Sequence, residues 1–238
     1  MQAAQQQGQK APQEPLRRRI NHFLARTVDR FRVALLVILL AAAAFLVGYF
    51  IYGEISKKLV YDSTALADVA QTKYDAWQAE TDNAKKAPLE QDLLAQLGTL
   101  ISRYPRQYGG QRGLFLRASV HYADKAWEEA LKDYQALADH FPGSYLAAIS
   151  LFDAGICAEE KGDASAALKL YLRAFQGSKD STVAPRAMFN AGRLYEAGQD
   201  WTSAQKTYES IDASYGQSIW NKLAKNRLIE LKVQGKIK

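Results

Sequence analysis

Cys157 is the one cysteine in 238 residues, which excludes an internal disulfide and any cysteine-built metal cluster. Histidine is almost as scarce. His22, His121 and His140 stand apart, with no Cys, Asp or Glu beside them at metal-ligand spacing. No glycine-rich loop follows a strand pattern, and the GxSxG, HExxH and P-loop signatures are missing. Glu128–Glu129 and Glu159–Glu160 are adjacent pairs on helical patterns, which reads as solvated surface rather than an acid/base couple. The chain therefore nominates no catalytic residue, no cofactor site and no metal site, and is not expected to be an enzyme.

A basic stripe is also lacking. The formal charge is +6, but it is concentrated at the two ends. Residues 1–32 carry seven Lys/Arg against Glu14 and Asp29, a balance of +5. Residues 222–238 add another +5, while residues 53–221 hold eighteen basic and twenty-two acidic side chains, a balance of −4. A mildly acidic main domain without interleaved aromatics and cations is not a nucleic-acid binder.

What the chain does have is an uncharged run at residues 33–52, VALLVILLAAAAFLVGYFIY, in which twelve of the twenty are Val, Leu, Ile or Phe. A helix of about 20 apolar residues matches the ~30 Å hydrocarbon core of a bilayer, with its backbone groups paired internally as lipid requires. Insertion is favoured by about 4–7 kcal/mol as an upper bound. A transmembrane helix is expected over 33–53. The competing reading is a cleaved signal peptide, with Ala41–Ala44 offering a processing site. It fits less well, because the leading segment would be 32 residues long and the apolar run continues past the alanines. Positive charge flanking a first span stays cytoplasmic, so the N-terminus is expected inside. Residues 53–238 are then outside, in the periplasm of a bacterium, with the chain in the inner membrane. Residues 1–15, Gln-rich with Pro12 and Pro15, are expected to be a disordered cytosolic tail. Residues 16–32 place Ile20, Phe23, Leu24, Val28 and Phe31 on one helical face amid arginines. This suits either a helix lying on an anionic leaflet or a cytosolic extension of the span.

Residues 110–218 repeat with a period of 37. Phe115, Phe152 and Phe189 keep that step, as do Ala130, Ala167 and Ala204, and Tyr134, Tyr171 and Tyr208. Ala118, Gly155 and Gly192 form a fourth column of small residues. Each unit reads as two helices, 111–123 and 127–140 in the first, ended by Phe141-Pro142-Gly143-Ser144. One such unit buries too little apolar surface to stand alone, so the units must stack. His121 and Cys157 fall in core columns and are expected to be structural.

The order Leu114, Ala118, Ala130, Tyr134, Leu137, Pro142 resembles the pattern of the tetratricopeptide (TPR) family. The resemblance implies an all-α fold, a TPR-type α-solenoid of about three to four helix pairs behind the single N-terminal span. Residues 54–109 would supply a membrane-proximal helix over 55–81, striped by Ile55, Leu59, Leu66, Val69, Tyr74 and Trp77, then a break at 85–88 and a degenerate first repeat. Residues 219–238 would be a capping helix, with Trp220, Leu223, Ala224, Leu228 and Leu231 together, followed by a basic tail.

In that family, peptides usually bind a concave groove lined by one face of the first helices. Here that face reads Arg112-Phe115-Ser119-Tyr122, Ile149-Phe152-Ile156-Glu159 and Arg186-Phe189-Arg193-Glu196. The candidate peptide-binding residues are Arg112, Phe115, Tyr122, Ile149, Phe152, Ile156, Arg186, Phe189 and Arg193, suited to apolar side chains and a carboxylate. The alternative is that the rings fill gaps between helices, or are covered by residues 55–81. A span followed by a TPR array resembles the ancillary subunit of the bacterial Sec translocon, the YfgM-like family. That resemblance implies a periplasmic holding or scaffolding role at the Sec channel beside a membrane-anchored foldase. The other expectation is an adaptor in envelope assembly or cell division, of the Tol–Pal or outer-membrane assembly type.

Overall fold

The structure is a computed structural model that describes residues 16–177 and 182–238. The tail expected at 1–15 lies outside the described residues. Nine helices occur among them: α1 (Leu16–Ala79), α2 (Asn83–Arg103), α3 (Tyr108–Ala123), α4 (Trp127–His140), α5 (Tyr145–Glu160), α6 (Ala164–Gly177), α7 (Ala184–Ala197), α8 (Trp201–Tyr215) and α9 (Ile219–Val233). The described residues contain no strand. The chain divides into two units, 1–57 and 58–238.

In the first unit, α1 is long and apolar enough to cross a bilayer by length and composition. Its large side chains lie open, Leu40 at 70% and Phe45 at 73% exposure, so no protein core claims them. Ile20, Phe23, Leu24, Val28 and Phe31 are exposed as well.

The second unit is a solenoid of helix pairs. In α3/α4, α5/α6 and α7/α8, one turn recurs at the 37-residue step. The backbone N–H groups of Ala126, Asp163 and Asp200 donate to the carbonyls of His121, Ala158 and Tyr195 at 2.8–2.9 Å. One residue earlier, Lys125, Gly162 and Gln199 take φ of 59°, 81° and 61°. This left-handed backbone favours glycine. Gln199→Gly and Lys125→Gly are therefore expected to raise stability by about 0.5 kcal/mol each, and Gly162→Ala to lower it by about 1 kcal/mol. Chemical denaturation of the three variants checks the opposite signs.

The turns between units recur too. Gln107, Ser144 and Ser218 donate their N–H groups to Tyr104, Phe141 and Tyr215. Ser144, Asp163, Asp200 and Ser218 cap the helices that follow, accepting from the backbone N–H groups of Leu146, Ala166, Ser203 and Asn221.

The end of α1 pairs with α2, and its packed face matches the predicted stripe in part: Trp77 is buried and Leu66 and Tyr74 pack against the same cluster, while the rest of the face differs. Ser63, Ala67, Ala70 and Trp77 are buried, whereas Leu59 and Val69 are exposed, and so is Ile55 in the first unit. Small residues win that face because helices approach closely there. A Cβ added at Gly109 of α3 would lie 2.3 Å from the Ser63 carbonyl oxygen. Trp77 then closes the cluster against Leu93, Leu97 and Leu100 of α2.

The break also moves, from the expected 85–88 to 80–82. Asp82 accepts from the Ala84 N–H at 2.9 Å and starts α2, and Pro88 sits inside the helix. There it leaves the Ala84 carbonyl without a helical donor. At the far end α9 covers Tyr208 and Ile211 with Ala224 and Leu231, while Leu223 is exposed rather than part of the packed stripe. His121 is half-buried rather than a core residue. Cys157 is fully buried, and burial pushes its thiol up to about 12.

Candidate peptide-binding face

The end of α1, then α3, α5, α7 and α9, are the first helices of successive pairs. Side chains on one face tie each to the next. Arg112 on α3 donates to the Gln71 side chain on α1 at 2.7 Å. Arg193 on α7 pairs with Glu159 on α5. Arg227 on α9 pairs with Glu196 on α7, which also accepts from the Tyr208 hydroxyl. Burial alone would raise the Glu196 carboxyl, but the Arg227 and Tyr208 hydrogen bonds outweigh it and hold it below the usual range.

The three phenylalanines do not behave alike. Each packs on the tyrosine nineteen residues further on, with ring centroids 5.9 Å apart for Phe115–Tyr134, 5.4 Å for Phe152–Tyr171 and 5.6 Å for Phe189–Tyr208. Phe115 and Phe189 remain half-buried. Phe152 is 1% exposed, so its expected role as an open contact surface is corrected: it is a core side chain with a cation on top. The Arg186 guanidinium lies 4.5 Å from the Phe152 ring centroid and 5.7 Å from that of Trp220. Trp220 in turn lies 5.5 Å from Phe189.

Tyr122 and Ile156 are half-buried beside the central core, and Tyr122 meets Trp127 edge to face at 5.2 Å. Ile149 is half-buried and packs against a separate cluster of Leu114, Leu137 and Leu146. Of the nine candidates, the structure thus brings Tyr122, Phe152, Ile156, Arg186 and Phe189 near one locus. Arg112 and Arg193 are already paired.

Two residues that matter at this locus were not nominated from the sequence. Trp220, assigned to the cap, supplies the second ring over Arg186. Asp153 of α5 is within the electrostatic reach of Arg186: burial pushes its carboxyl up to about 6 while Arg186 draws it down. One signal was available for Asp153. Its repeat column holds the buried Leu116 and then Asn190, so an acid stands where the first unit has a leucine. Among the described residues, no group of three or more His, Cys, Asp or Glu side chains is placed to hold a metal ion.

Residues 112–144 and 186–218 match the family model described as tetratricopeptide repeat, two segments that start 74 residues, or two periods, apart. These two segments are similar in sequence to tetratricopeptide repeats. A TPR repeat-containing protein of Treponema pallidum (strain Nichols) is 34% identical over 118 residues, which cover 50% of this chain and 49% of that protein. The chain spans about half the length of that curated relative. Repeats of this kind build scaffolds for protein–protein interaction, and their helix pairs account for the fold described above.

Proposed function

We propose that the chain is a single-pass inner-membrane protein whose repeats stand in the periplasm and receive segments of exported polypeptides, as an ancillary chaperone-like scaffold at the Sec channel beside a membrane-anchored foldase. The observation that carries the protein-binding part is the locus on α5, α7 and α9. Half-buried Tyr122, Ile156, Phe189 and Trp220 lie near the exposed Arg186, which stacks on the Phe152 and Trp220 rings and, among the described residues, makes no ion pair. The membrane part is supported by the open apolar surface of α1 and by the positive charge of residues 1–32. In this reading residues 16–32 extend the span on the cytosolic side, in keeping with the unbroken run of α1, and residues 1–15 lie in the cytosol.

Topology is tested by a C-terminal epitope tag and protease added to cells with an opened outer membrane. Loss of the tag, with a short protected fragment containing residues 1–52, is the expected result. A fully protected tag overturns the periplasmic placement. Partners are tested by crosslinking in native membranes followed by mass spectrometry. Recovery of the Sec channel is expected, whereas recovery of Tol–Pal, division or outer-membrane assembly components in its place would favour the adaptor reading.

A further inference from the structure

We propose that the outer face of α9, the last helix of the solenoid, is a membrane-contact surface that lays its exposed aliphatic side chains and lysines on an anionic phospholipid surface. The inference goes beyond the peptide-binding reading above and does not depend on that locus.

A helix that ends a solenoid needs a polar outer face to stay soluble. The outer face of α9 is instead mixed apolar and cationic. Its inner face, with Ala224 and Leu231 buried and Trp220 and Leu228 packed beside them, covers Met188 of α7 and Tyr208 and Ile211 of α8. At about 100° per residue, Ile219, Leu223, Ile229 and Val233 fall on the opposite side. Ile219 is 67%, Ile229 61% and Val233 84% exposed, and Leu223 is exposed as well. Gly235, at φ 68°, then closes the helix: the N–H groups of Gly235 and Lys236 donate to the Lys232 and Leu231 carbonyls at 2.9 Å. Ile237 packs back on the cap, so the basic end is folded onto α9.

Charge selects the partner. Residues 222–238 carry six Lys/Arg against Glu230, in a chain whose residues 53–221 balance at −4. Glu230, the acid on the outer side, is paired with Arg227, which also holds Glu196. Lys225 pairs with Asp212, and Lys236 lies 4.0 Å from the Trp201 ring centroid. Lys222 and Lys232 are exposed beside the aliphatics, and among the described residues neither makes an ion pair. A second copy docked here about a two-fold axis would bring two cationic faces together. Nucleic acid offers the negative charge but no apolar layer. An anionic bilayer surface offers both: phosphates for the lysines, and an acyl boundary about 5–10 Å deep for the aliphatics. Lysine stems can run along the apolar residues while their ammonium heads stay among the phosphates. A span in the bilayer would raise the effective concentration of lipid around the rest of the chain, so a weak surface affinity suffices.

The test holds the full chain in phosphatidylcholine nanodiscs and attaches an environment-sensitive NBD dye through N226C, an exposed position in the middle of the outer face. Cys157 is fully buried with its thiol pushed up to about 12, so N226C supplies the reactive thiol. Vesicles of phosphatidylcholine alone, or of equal parts phosphatidylcholine and phosphatidylglycerol, are titrated in. The expected result is a blue shift and a gain of emission with the anionic vesicles and not with the neutral ones, weakening as salt is raised. K222E/K232E should raise the lipid concentration at half-effect about 25-fold or more, at roughly fivefold for each lysine near an anionic surface. Its melting temperature should stay nearly unchanged, because both side chains are exposed. I219S/V233S should abolish the blue shift. Equal shifts with both kinds of vesicle, or a half-effect that K222E/K232E does not move, overturn the assignment to anionic lipid. A blue shift that needs no vesicles and grows with protein concentration overturns it too, and gives the face to a second copy. No shift under any condition overturns the docking surface itself. The protease and crosslinking tests above do not use this face, so its failure and theirs are read separately.

Discussion

Alanine at Gly110 is expected to destabilise the domain by about 3 kcal/mol, at the upper end for overpacking, or about 6–12 °C in melting temperature for a unit of this size. A Cβ there would stand 2.0 Å from the Tyr104 carbonyl oxygen, and one at Gly109 would stand 2.3 Å from the Ser63 carbonyl oxygen. Both obstacles are backbone, which cannot rotate away. Gly113 is different, since its nearest neighbour is the Ile101 side chain at 3.0 Å, and alanine there should cost less. Helix propensity alone predicts the opposite sign, because alanine in a helix is favoured over glycine by about 1 kcal/mol. Gly98 of α2 supplies the control: nothing lies within 4 Å of its added Cβ, and Gly98→Ala should stabilise. Thermal melts followed by circular dichroism on the four variants read the order directly. A Gly110→Ala protein that melts at or above the parent temperature would refute the close junction of α1, α2 and α3.

That junction also marks where the sequence stopped being legible. The repeat was readable because the same columns recur: α4 runs from Trp127 to His140, as the expected 127–140 has it. The end of α1 belongs to no complete repeat, so only hydrophobicity guided the choice of face there, and it favoured Ile55, Leu59 and Val69. Packing distance decided instead for Ser63, Ala67 and Ala70, with Trp77 reaching α2 to donate from its ring nitrogen to Glu90 at 3.2 Å. The break at 80–82 was hidden for a related reason. Proline drew attention to residue 88, whereas the stop is made by the Asp82 cap.

The candidate face was half legible. Periodicity placed Arg112, Arg186 and Arg193 on it, but could not tell which was free. Their partners Gln71 and Glu159 lie 41 and 34 residues away on neighbouring helices. Phe152 is buried in the central cluster with Arg186 over its ring, whereas Phe189 stays half-buried with the Trp220 ring tilted 45° against it. No column of the repeat contains that difference.

Tyr171→Ala and Tyr208→Ala are expected to cost about 3–5 kcal/mol each, the range for deleting a buried aromatic ring. Each ring lies in a notch made by a glycine. The Cβ of an alanine at Gly155 or Gly192 would stand 2.5 Å from the Tyr171 or Tyr208 ring, so nothing on the partner helix can fill the space left by truncation. Their conservative variants should separate. Tyr208 donates its hydroxyl to Glu196, the carboxylate that also holds Arg227, so Tyr208→Phe removes a charge-assisted hydrogen bond and should cost about 1.5–3 kcal/mol. Among the described residues the Tyr171 hydroxyl has no hydrogen-bond partner, and Tyr171→Phe should be nearly neutral. Position along the solenoid adds a second difference, because each unit is stabilised only by its neighbours. Tyr171 sits in the central cluster that joins α5 and α6 to Ala187 and Ala191 of α7, whereas Tyr208 serves α7, α8 and the cap. Urea unfolding of Tyr171→Ala should therefore broaden into two steps, and that of Tyr208→Ala should show early loss of the last pair alone. A single sharp transition in both, with unchanged slope, would mean that the array unfolds as one block and that the notched tyrosines are not its joints.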